Sequence, residues 1–111
     1  MDITVTKERR ASIVNMIGNF DIASSALFDE QLTALMDAGE TRILLDFSQV
    51  SFIVSTGLAM LLKTTRRIND EDGLLHICCI NETVQEVFTM TAFDTILTIF
   101  NTKELALVDL V

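Results

Sequence analysis

Two adjacent hydroxyls and a glycine stand where a predicted buried strand runs into a predicted helix, in segment 46–62 with the sequence DFSQVSFIVSTGLAMLL. The first hydroxyl belongs to Ser55 and has two possible uses. It can cap the helix by accepting a hydrogen bond from a free backbone N–H, which contributes roughly 1 kcal/mol. It can also be presented to an enzyme that modifies it.

A phosphate on Ser55 is compatible with a helix that begins there. The group would carry about −1.5 to −2 charges at pH 7, and a helix N-terminus favours negative charge by about 0.3–1 kcal/mol. Phosphorylation is therefore expected to leave the fold intact. A partner that buries the same surface would meet an unpaired or repelling charge. The segment thus indicates a switchable protein interface, with a plain helix cap as the alternative.

The sequence offers few residues for catalysis or metal binding. Its single histidine, His76, falls in a strand pattern, where a structural role is expected. A Gly-rich phosphate loop, an HExxH motif and a GxSxG elbow are all missing. The acidic run INDEDG at 68–73 does not fit a calcium loop, because Ile68 stands where that loop needs a carboxylate. We expect a protein that is not an enzyme and that has no metal or other cofactor.

The two cysteines, Cys78 and Cys79, are adjacent in a predicted strand. Neighbouring side chains on a strand point to opposite faces, so this pair is not expected to form a disulfide or to share a metal. We predict that both are small, reduced core residues.

The composition indicates one globular domain covering residues 1–111, with 50% hydrophobic residues. The net charge of −8 repels phosphate backbones and anionic lipid, so neither nucleic acid nor a membrane is an expected partner. A protein partner with a basic or mixed surface fits this negative charge better than nucleic acid or a membrane does. No apolar run approaches the roughly 20 residues of a membrane span, and the N-terminal segment lacks the apolar region of a signal peptide. The expected location is the cytoplasm.

Hydrophobic periodicity predicts strands alternating with helices. Strands are expected at 3–5, 12–17, 43–45, 74–80 and 95–100, with a short extended piece at 50–53. Helices are expected after a cap at Ser24 or Ser25, near Ser55, after a cap at Asn81, and at 103–110. The buried stripe of the second helix is expected to contain Leu58, Leu61, Leu62, Thr65 and Ile68. This order predicts an α/β fold in which helices pack against a mixed β-sheet.

Two motifs resemble the STAS domain of bacterial anti-sigma factor antagonists, and the resemblance spans nearly the whole chain. The more specific motif lies at 46–58, where the family has an Asp-hydrophobic-Ser sequence, a Phe and an Asp-Ser-Ser/Thr-Gly-Leu corner. The matching residues are Asp46, Ser48, Val50, Phe52, Ser55, Thr56, Gly57 and Leu58. In the weaker motif, Gly-Asn-Phe-Asp at 18–21, Asp21 matches the family's aspartate near the phosphorylation corner.

The resemblance implies a partner switch. An unmodified antagonist of this family binds an anti-sigma factor that is itself a serine kinase. The kinase then phosphorylates the first serine of the corner, here Ser55 with Thr56 as the second choice, and the complex separates. A metal-dependent serine phosphatase resets the antagonist. On this basis the expected partner-binding residues are Asp21, Ser55, Thr56, Gly57 and Leu58.

Val54 departs from the family pattern, which usually has aspartate before the serine. Valine cannot accept a hydrogen bond or orient the serine hydroxyl, but it also removes a negative charge beside the phosphate. The alternative function is therefore a STAS scaffold that binds a partner or a ligand without phosphorylation control. On the following helix, Lys63, Arg66 and Arg67 are interpreted as a solvated face that could, as a cluster, pair with an acidic partner.

Overall fold

A five-stranded sheet with four helices forms the frame of the protein in a computed structural model that describes residues 1–111. The strands are β1 (Asp2–Glu8), β2 (Ala11–Phe20), β3 (Arg42–Ile53), β4 (Leu74–Cys78) and β5 (Thr98–Phe100). The helices are α1 (Ile22–Asp37), α2 (Ser55–Asp70), α3 (Glu82–Met90) and α4 (Lys103–Leu107), with a 3-10 turn at Phe93–Thr95. The predicted α/β class is confirmed.

The strands lie in the sheet in the same order as in the chain. β1 pairs with β2 as an antiparallel hairpin, whereas β2, β3, β4 and β5 are parallel neighbours. Parallel neighbours need crossover connections, which α1, α2 and α3 supply. The predicted mixed sheet is therefore correct, and α1 and α2 both begin at the edge where β2 and β3 end. No helix has the length and apolar character needed to cross a membrane.

The main hydrophobic core lies between the sheet and helices α1, α2 and α3. Four buried phenylalanines, Phe20, Phe28, Phe47 and Phe88, run through it with successive ring centroids 5.0, 6.3 and 6.3 Å apart in the order 28–20–47–88. A smaller cluster on the opposite face joins the sheet to α4 and the residues after it. Its members are Ala11, Ile13, Leu44, Cys78, Ala106 and Leu110. Both faces of 43–45 are therefore covered, as the absence of alternation predicts.

β3 is one continuous strand of 12 residues and not the two separate pieces expected from the sequence. Its parallel pairing with β2 shifts register twice, between Asn15 and Ile17 and again between Gly18 and Phe20. These irregularities let the pairing continue as far as Phe20 and Ile53. The polar residues in the middle of β3 therefore stay in the sheet.

Three elements are shorter than the sequence predicts. β4 ends at Cys78 and not at residue 80, because Cys79 adopts a left-handed backbone with φ of 64°. β5 covers only 98–100, because 93–95 form the 3-10 turn. α4 stops at Leu107, after which the Leu110 N–H closes a turn on the Leu107 carbonyl at 2.9 Å.

α2 lies closely against the sheet at Gly57. A Cβ at this position would lie 2.7 Å from a ring carbon of Phe20 and 2.8 Å from Cγ1 of Ile53, both of which are buried. The requirement for glycine here comes from space and not from an unusual backbone angle. Further along α2, the expected buried stripe is observed with one exchange, since Thr64 is buried and Leu62 is only half-buried.

Substitution of Gly57 by alanine should destabilise the protein by about 1–3 kcal/mol, the usual cost of overpacking a core. The sign is informative because Gly→Ala inside a helix ordinarily stabilises by roughly 0.5–1 kcal/mol. Urea unfolding followed by far-UV circular dichroism measures the effect. Ser55→Ala is the matched control, because it changes an exposed side chain in the same turn. An unchanged or increased free energy of unfolding for Gly57→Ala would contradict the tight contact with Phe20 and Ile53.

Candidate functional site

The corner between β3 and α2 is held by the end of β2. The Val54 N–H donates to the Phe20 carbonyl at 3.0 Å, and α2 begins at the next residue. Val54 occupies the N-cap position with an extended backbone, and it supplies no side-chain hydrogen bond. The alternative in which Ser55 caps α2 is therefore wrong. Ser55 is the first helical residue, because β3 and its pairing with β2 extend as far as Ile53.

The two hydroxyls of the corner have different environments. The Ser55 side chain is exposed and forms no hydrogen bond within the chain. The Thr56 hydroxyl lies 3.1 Å from the Ser25 hydroxyl on α1. Ser25 uses its own hydrogen to donate to the Asp21 carbonyl at 2.7 Å, so Thr56 must donate to Ser25. Only Ser55 therefore has a hydroxyl that is free to react or to bind.

Asp21 forms the second part of the corner as the N-cap of α1. Its carboxylate accepts hydrogen bonds from the Ser24 backbone N–H at 2.9 Å and from the Ser24 hydroxyl at 2.8 Å. These bonds hold the pKa of Asp21 below its ordinary value of 3.8. The prediction that Ser24 or Ser25 caps α1 is wrong, because the cap lies three or four residues earlier, at Asp21, and both serines are buried in the first turn of α1.

A shallow depression with a volume of about 480 Å³ joins these groups at the surface. Its lining includes Asp21, Ile22, Phe52, Val54, Ser55 and Thr56. Ile22 is 73% exposed and Phe52 is 38% exposed, so the depression has an apolar wall beside the free hydroxyl. We call this surface the corner depression.

The structure brings three of the five expected site residues together, since Asp21, Ser55 and Thr56 all line the corner depression. Gly57 and Leu58 lie beneath it and are buried, so they support the corner from inside the core. Sequence reasoning assigned no role to Ile22. The sequence alone does not mark an isoleucine beside an N-cap as functional. Its role becomes visible only when the structure shows which residues line the same depression.

The basic residues of α2 are largely occupied by acidic neighbours. Lys63 pairs with Asp29 of α1 at 2.9 Å. Arg67 pairs with Asp37 at 2.7 Å and with Glu71 at 3.1 Å. Arg66 is exposed and forms no ion pair within the chain, so it is the one cation of the predicted cluster that remains available to a partner.

The sequence profile of the STAS domain matches residues 2–106 of this chain. The chain belongs to the STAS domain family. The resemblance seen in its two motifs is thereby confirmed.

Its relatives and structural neighbours include anti-sigma factor antagonists. BtrV of Bordetella bronchiseptica, named as a candidate anti-sigma factor antagonist, is 29% identical over 106 residues, which cover 96% of this chain and 91% of BtrV. A solved anti-sigma factor antagonist from Mycobacterium paratuberculosis matches the STAS domain with a TM-score of 0.89 at 20% identity, over 98% of this chain and 92% of that chain. The phosphorylated form of the Bacillus cell fate determinant SpoIIAA matches with a TM-score of 0.74 at 18% identity, over 96% of each chain.

Away from the corner, the histidine of the STAS domain has a structural position. His76 is buried, and its Nδ1 lies 2.8 Å from the Ala106 carbonyl. Its ring also packs against Phe100 with the ring centroids 4.8 Å apart. The side chain therefore links β4 to α4 and β5, in agreement with the expected structural role.

The two cysteines do not point to opposite faces as expected. Because Cys79 leaves the strand with a left-handed backbone, both sulfur atoms and a carboxylate oxygen of Asp46 lie within 4.8 Å of one another. Cys78 is fully buried, and burial raises the pKa of its thiol. The expectation that Cys78 is a core residue is confirmed, whereas Cys79 is half-buried at the edge of the core.

Because the pKa of Asp21 is lowered in the folded state, we expect the free energy of unfolding to depend on pH. Ionisation of this carboxyl contributes stability above pH 3.8, and that contribution is lost as the pH falls through the lower folded pKa. The free energy of unfolding of wild type minus that of Asp21→Asn should therefore be largest near neutral pH and should shrink below pH 3.8. Urea unfolding over this pH range measures the difference.

Asp94→Asn is the control for the pH experiment. It removes one negative charge from an exposed carboxylate that forms no ion pair. If the difference in free energy of unfolding between wild type and Asp21→Asn did not change with pH, the capping effect of Asp21 would not depend on its negative charge.

Proposed function

We propose that this STAS domain is an anti-sigma factor antagonist in a bacterial partner-switching pathway. Unmodified, it binds an anti-sigma factor that is also a serine kinase, and phosphorylation of Ser55 releases it. The relatives named as anti-sigma factor antagonists support the class of partner. The observation that carries the assignment of Ser55 is its exposed hydroxyl, which has no hydrogen bond and stands at the first turn of α2 beside an apolar depression.

The choice of Ser55 over Thr56 rests on the hydrogen bond between Thr56 and Ser25. A kinase that modified Thr56 would have to break the side-chain hydrogen bond between the first turns of α1 and α2. A hydrogen bond of this kind contributes about 0.5–1.5 kcal/mol to stability. Ser55 has no such contact, so its Oγ can attack the γ-phosphorus of ATP while its proton passes to a base of the kinase and ADP leaves.

The partner's contact surface is proposed to centre on the corner depression. Ile22 and Phe52 provide apolar area, and Asp21 provides a fixed negative charge next to it. Aromatic and aliphatic side chains with few charges are typical of interface centres. Gly57 and Leu58 contribute indirectly, because their packing against the sheet fixes the position of the first turn of α2 and therefore of Ser55.

A phosphate on Ser55 would change this surface more than it changes the fold. The first turn of α2 has no side-chain cap, so its backbone N–H groups can face the phosphate. No basic side chain lines the depression, and the ionised Asp21 is one of the residues that line it. The added charge of about −1.5 to −2 would therefore stay uncompensated by side chains under a bound partner. Burying such a charge opposes binding and favours release.

The domain itself takes part as substrate and ligand. Because phosphoryl transfer needs ATP, we propose that the domain works in the cytoplasm. We assign removal of the phosphate to a metal-dependent serine phosphatase. A phosphate on an exposed residue of an open depression is accessible to that enzyme. Val54 favours one other function, a STAS scaffold that binds its partner permanently, because no carboxylate orients the serine.

Three variants separate these two functions. Wild type, Ser55→Ala and Ser55→Asp are used to capture partners from lysate of the source organism with ATP present, and the captured kinase is then purified for binding measurements. We expect wild type and Ser55→Ala to bind the kinase and Ser55→Asp to bind at least about tenfold more weakly, a loss of about 1.4 kcal/mol. Equal binding by all three would favour the permanent scaffold.

Thr56→Val is the matched control for the phosphorylation site. It removes the neighbouring hydroxyl and its bond to Ser25 while Ser55 stays intact. Incubation with the purified kinase and ATP, followed by intact-mass measurement, should add one phosphate to wild type and to Thr56→Val but none to Ser55→Ala. Phosphate on Ser55→Ala and not on Thr56→Val would reassign the site to Thr56. Thermal unfolding of each variant separates loss of function from loss of fold.

The departure at Val54 gives a further prediction. Val54 has the extended backbone of an N-cap, with φ of −99° and ψ of 172°. Val54→Asp and Val54→Asn should each supply the missing cap and raise the free energy of unfolding by roughly 1 kcal/mol. We expect Val54→Asp to leave partner binding intact and to raise the initial rate of Ser55 phosphorylation.

Val54→Asn distinguishes the two effects of a carboxylate at this position. A rate increase with both variants would assign the effect to the cap, and an increase with aspartate alone would assign it to the charge. Val54→Ala, which has no acceptor, is the control. If neither Asp nor Asn changes the rate, the carboxylate usual in the family has no role in this chain.

A further inference from the structure

We propose that Asp46, Cys78 and Cys79 form a binding site for one thiophilic divalent cation of the Zn²⁺ or Cd²⁺ type. Their ligand atoms, two sulfurs and a carboxylate oxygen, lie within 4.8 Å of one another. Two donors bound to one tetrahedral Zn²⁺ lie roughly 3.5–4 Å apart, given a Zn–S distance of about 2.3 Å. The three groups therefore need only small movements to reach one ion.

The backbone explains how adjacent cysteines can act together. Cys79 has φ of 64°, a left-handed conformation that residues other than glycine rarely adopt. Its N–H is held by the Phe100 carbonyl at 3.1 Å, so this conformation belongs to the sheet edge and not to a free loop. On a regular strand the two sulfurs would point to opposite faces. Here the turn of the chain brings them to the same side.

The third donor comes from the neighbouring strand. Asp46 on β3 stands directly beside Cys78 on β4 in the parallel register. One of its carboxylate oxygens accepts the Ser48 N–H at 2.9 Å, which fixes the side chain and leaves the second oxygen without a hydrogen bond. Asp carboxylate oxygens, like Cys sulfurs, are among the ligands that bind Zn²⁺. A water molecule or a further ligand can complete the tetrahedron.

The charges nearby suit a bound cation. Two thiolates and one carboxylate carry three negative charges, against two positive charges of the ion. The positive charge of Lys103, which lies near Cys78, offsets part of the excess. Binding of the ion displaces the thiol protons, because cysteine ligates metals as the thiolate.

The site is separate from the corner depression. Cys78 belongs to the small core beneath α4, whereas the residues of α2 belong to the main core on the other face of the sheet. Asp46 lies on the face of Cys78, because its neighbours on β3, Leu45 and Phe47, point to the main core. Cation binding would join β3 to the end of β4 without touching Ser55. Failure of either proposal therefore leaves the other intact.

Titration of the reduced, metal-free protein with Cd²⁺ tests the site. The chain contains no Trp and no Tyr, so the charge-transfer absorption of a Cd–thiolate bond can be measured in the ultraviolet without overlapping absorption from these side chains. We expect this band to saturate at one Cd²⁺ per chain. Native mass spectrometry should show a single adduct in which two thiol protons are displaced. The midpoint of thermal unfolding should rise when Cd²⁺ is added.

Cys79→Ser and Asp46→Asn are the deciding variants, because Cys78 is fully buried and its replacement can unfold the chain. Cys79→Ser should abolish the two-thiolate band, and Asp46→Asn should weaken Cd²⁺ binding by at least about tenfold. Glu86→Gln, at an exposed acid of α3 that is not among the three proposed ligands, is the control and should bind like wild type. Absence of the band in wild type would overturn the proposal, as would undiminished binding by Cys79→Ser.

Discussion

The parallel pairing of β2 with β3 is the constraint on which the corner depends. This pairing continues to the last residues of both strands, and the hydrogen bond from the Val54 N–H to the Phe20 carbonyl closes it. A helix follows each strand with only one residue between them. The first turns of α1 and α2 must therefore lie side by side, and Asp21 and Ser55 become neighbours although they are distant in sequence.

The strongest hydrophobic patterns gave correct elements, and the errors fall where long-range pairing decides. The unbroken apolar run at 43–45 correctly indicated a strand that is covered on both faces, and Asn81 caps α3 as expected, with its side chain accepting the Val84 N–H. The N-caps of α1 and α2 were misplaced, since the structure has Asp21 in place of Ser24 or Ser25 and Val54 in place of Ser55. The position of each cap depends on how far β2 and β3 remain paired, and the local sequence does not show this.

The candidate site was predictable in its residue types but not in their arrangement. The motif at 46–58 located Ser55, and the motif at 18–21 located Asp21. The engagement of Thr56 by Ser25 was not predictable, because it depends on the distance between two helices. The approach of Cys79 to Asp46 was equally hidden, since it follows from one left-handed residue and the register of β3 with β4.

The adjacent first turns of α1 and α2 have a consequence for the lifetime of the protein. Two helix N-termini placed together concentrate positive dipole charge at one edge of the sheet, and Asp21 neutralises only part of it. An added anion at Ser55 meets a field that already favours it, so modification should not enlarge the unfolded fraction on which cellular proteases act. On the proposed function, phosphorylation of Ser55 would therefore leave the population of unfolded protein, and with it the rate of degradation, unchanged.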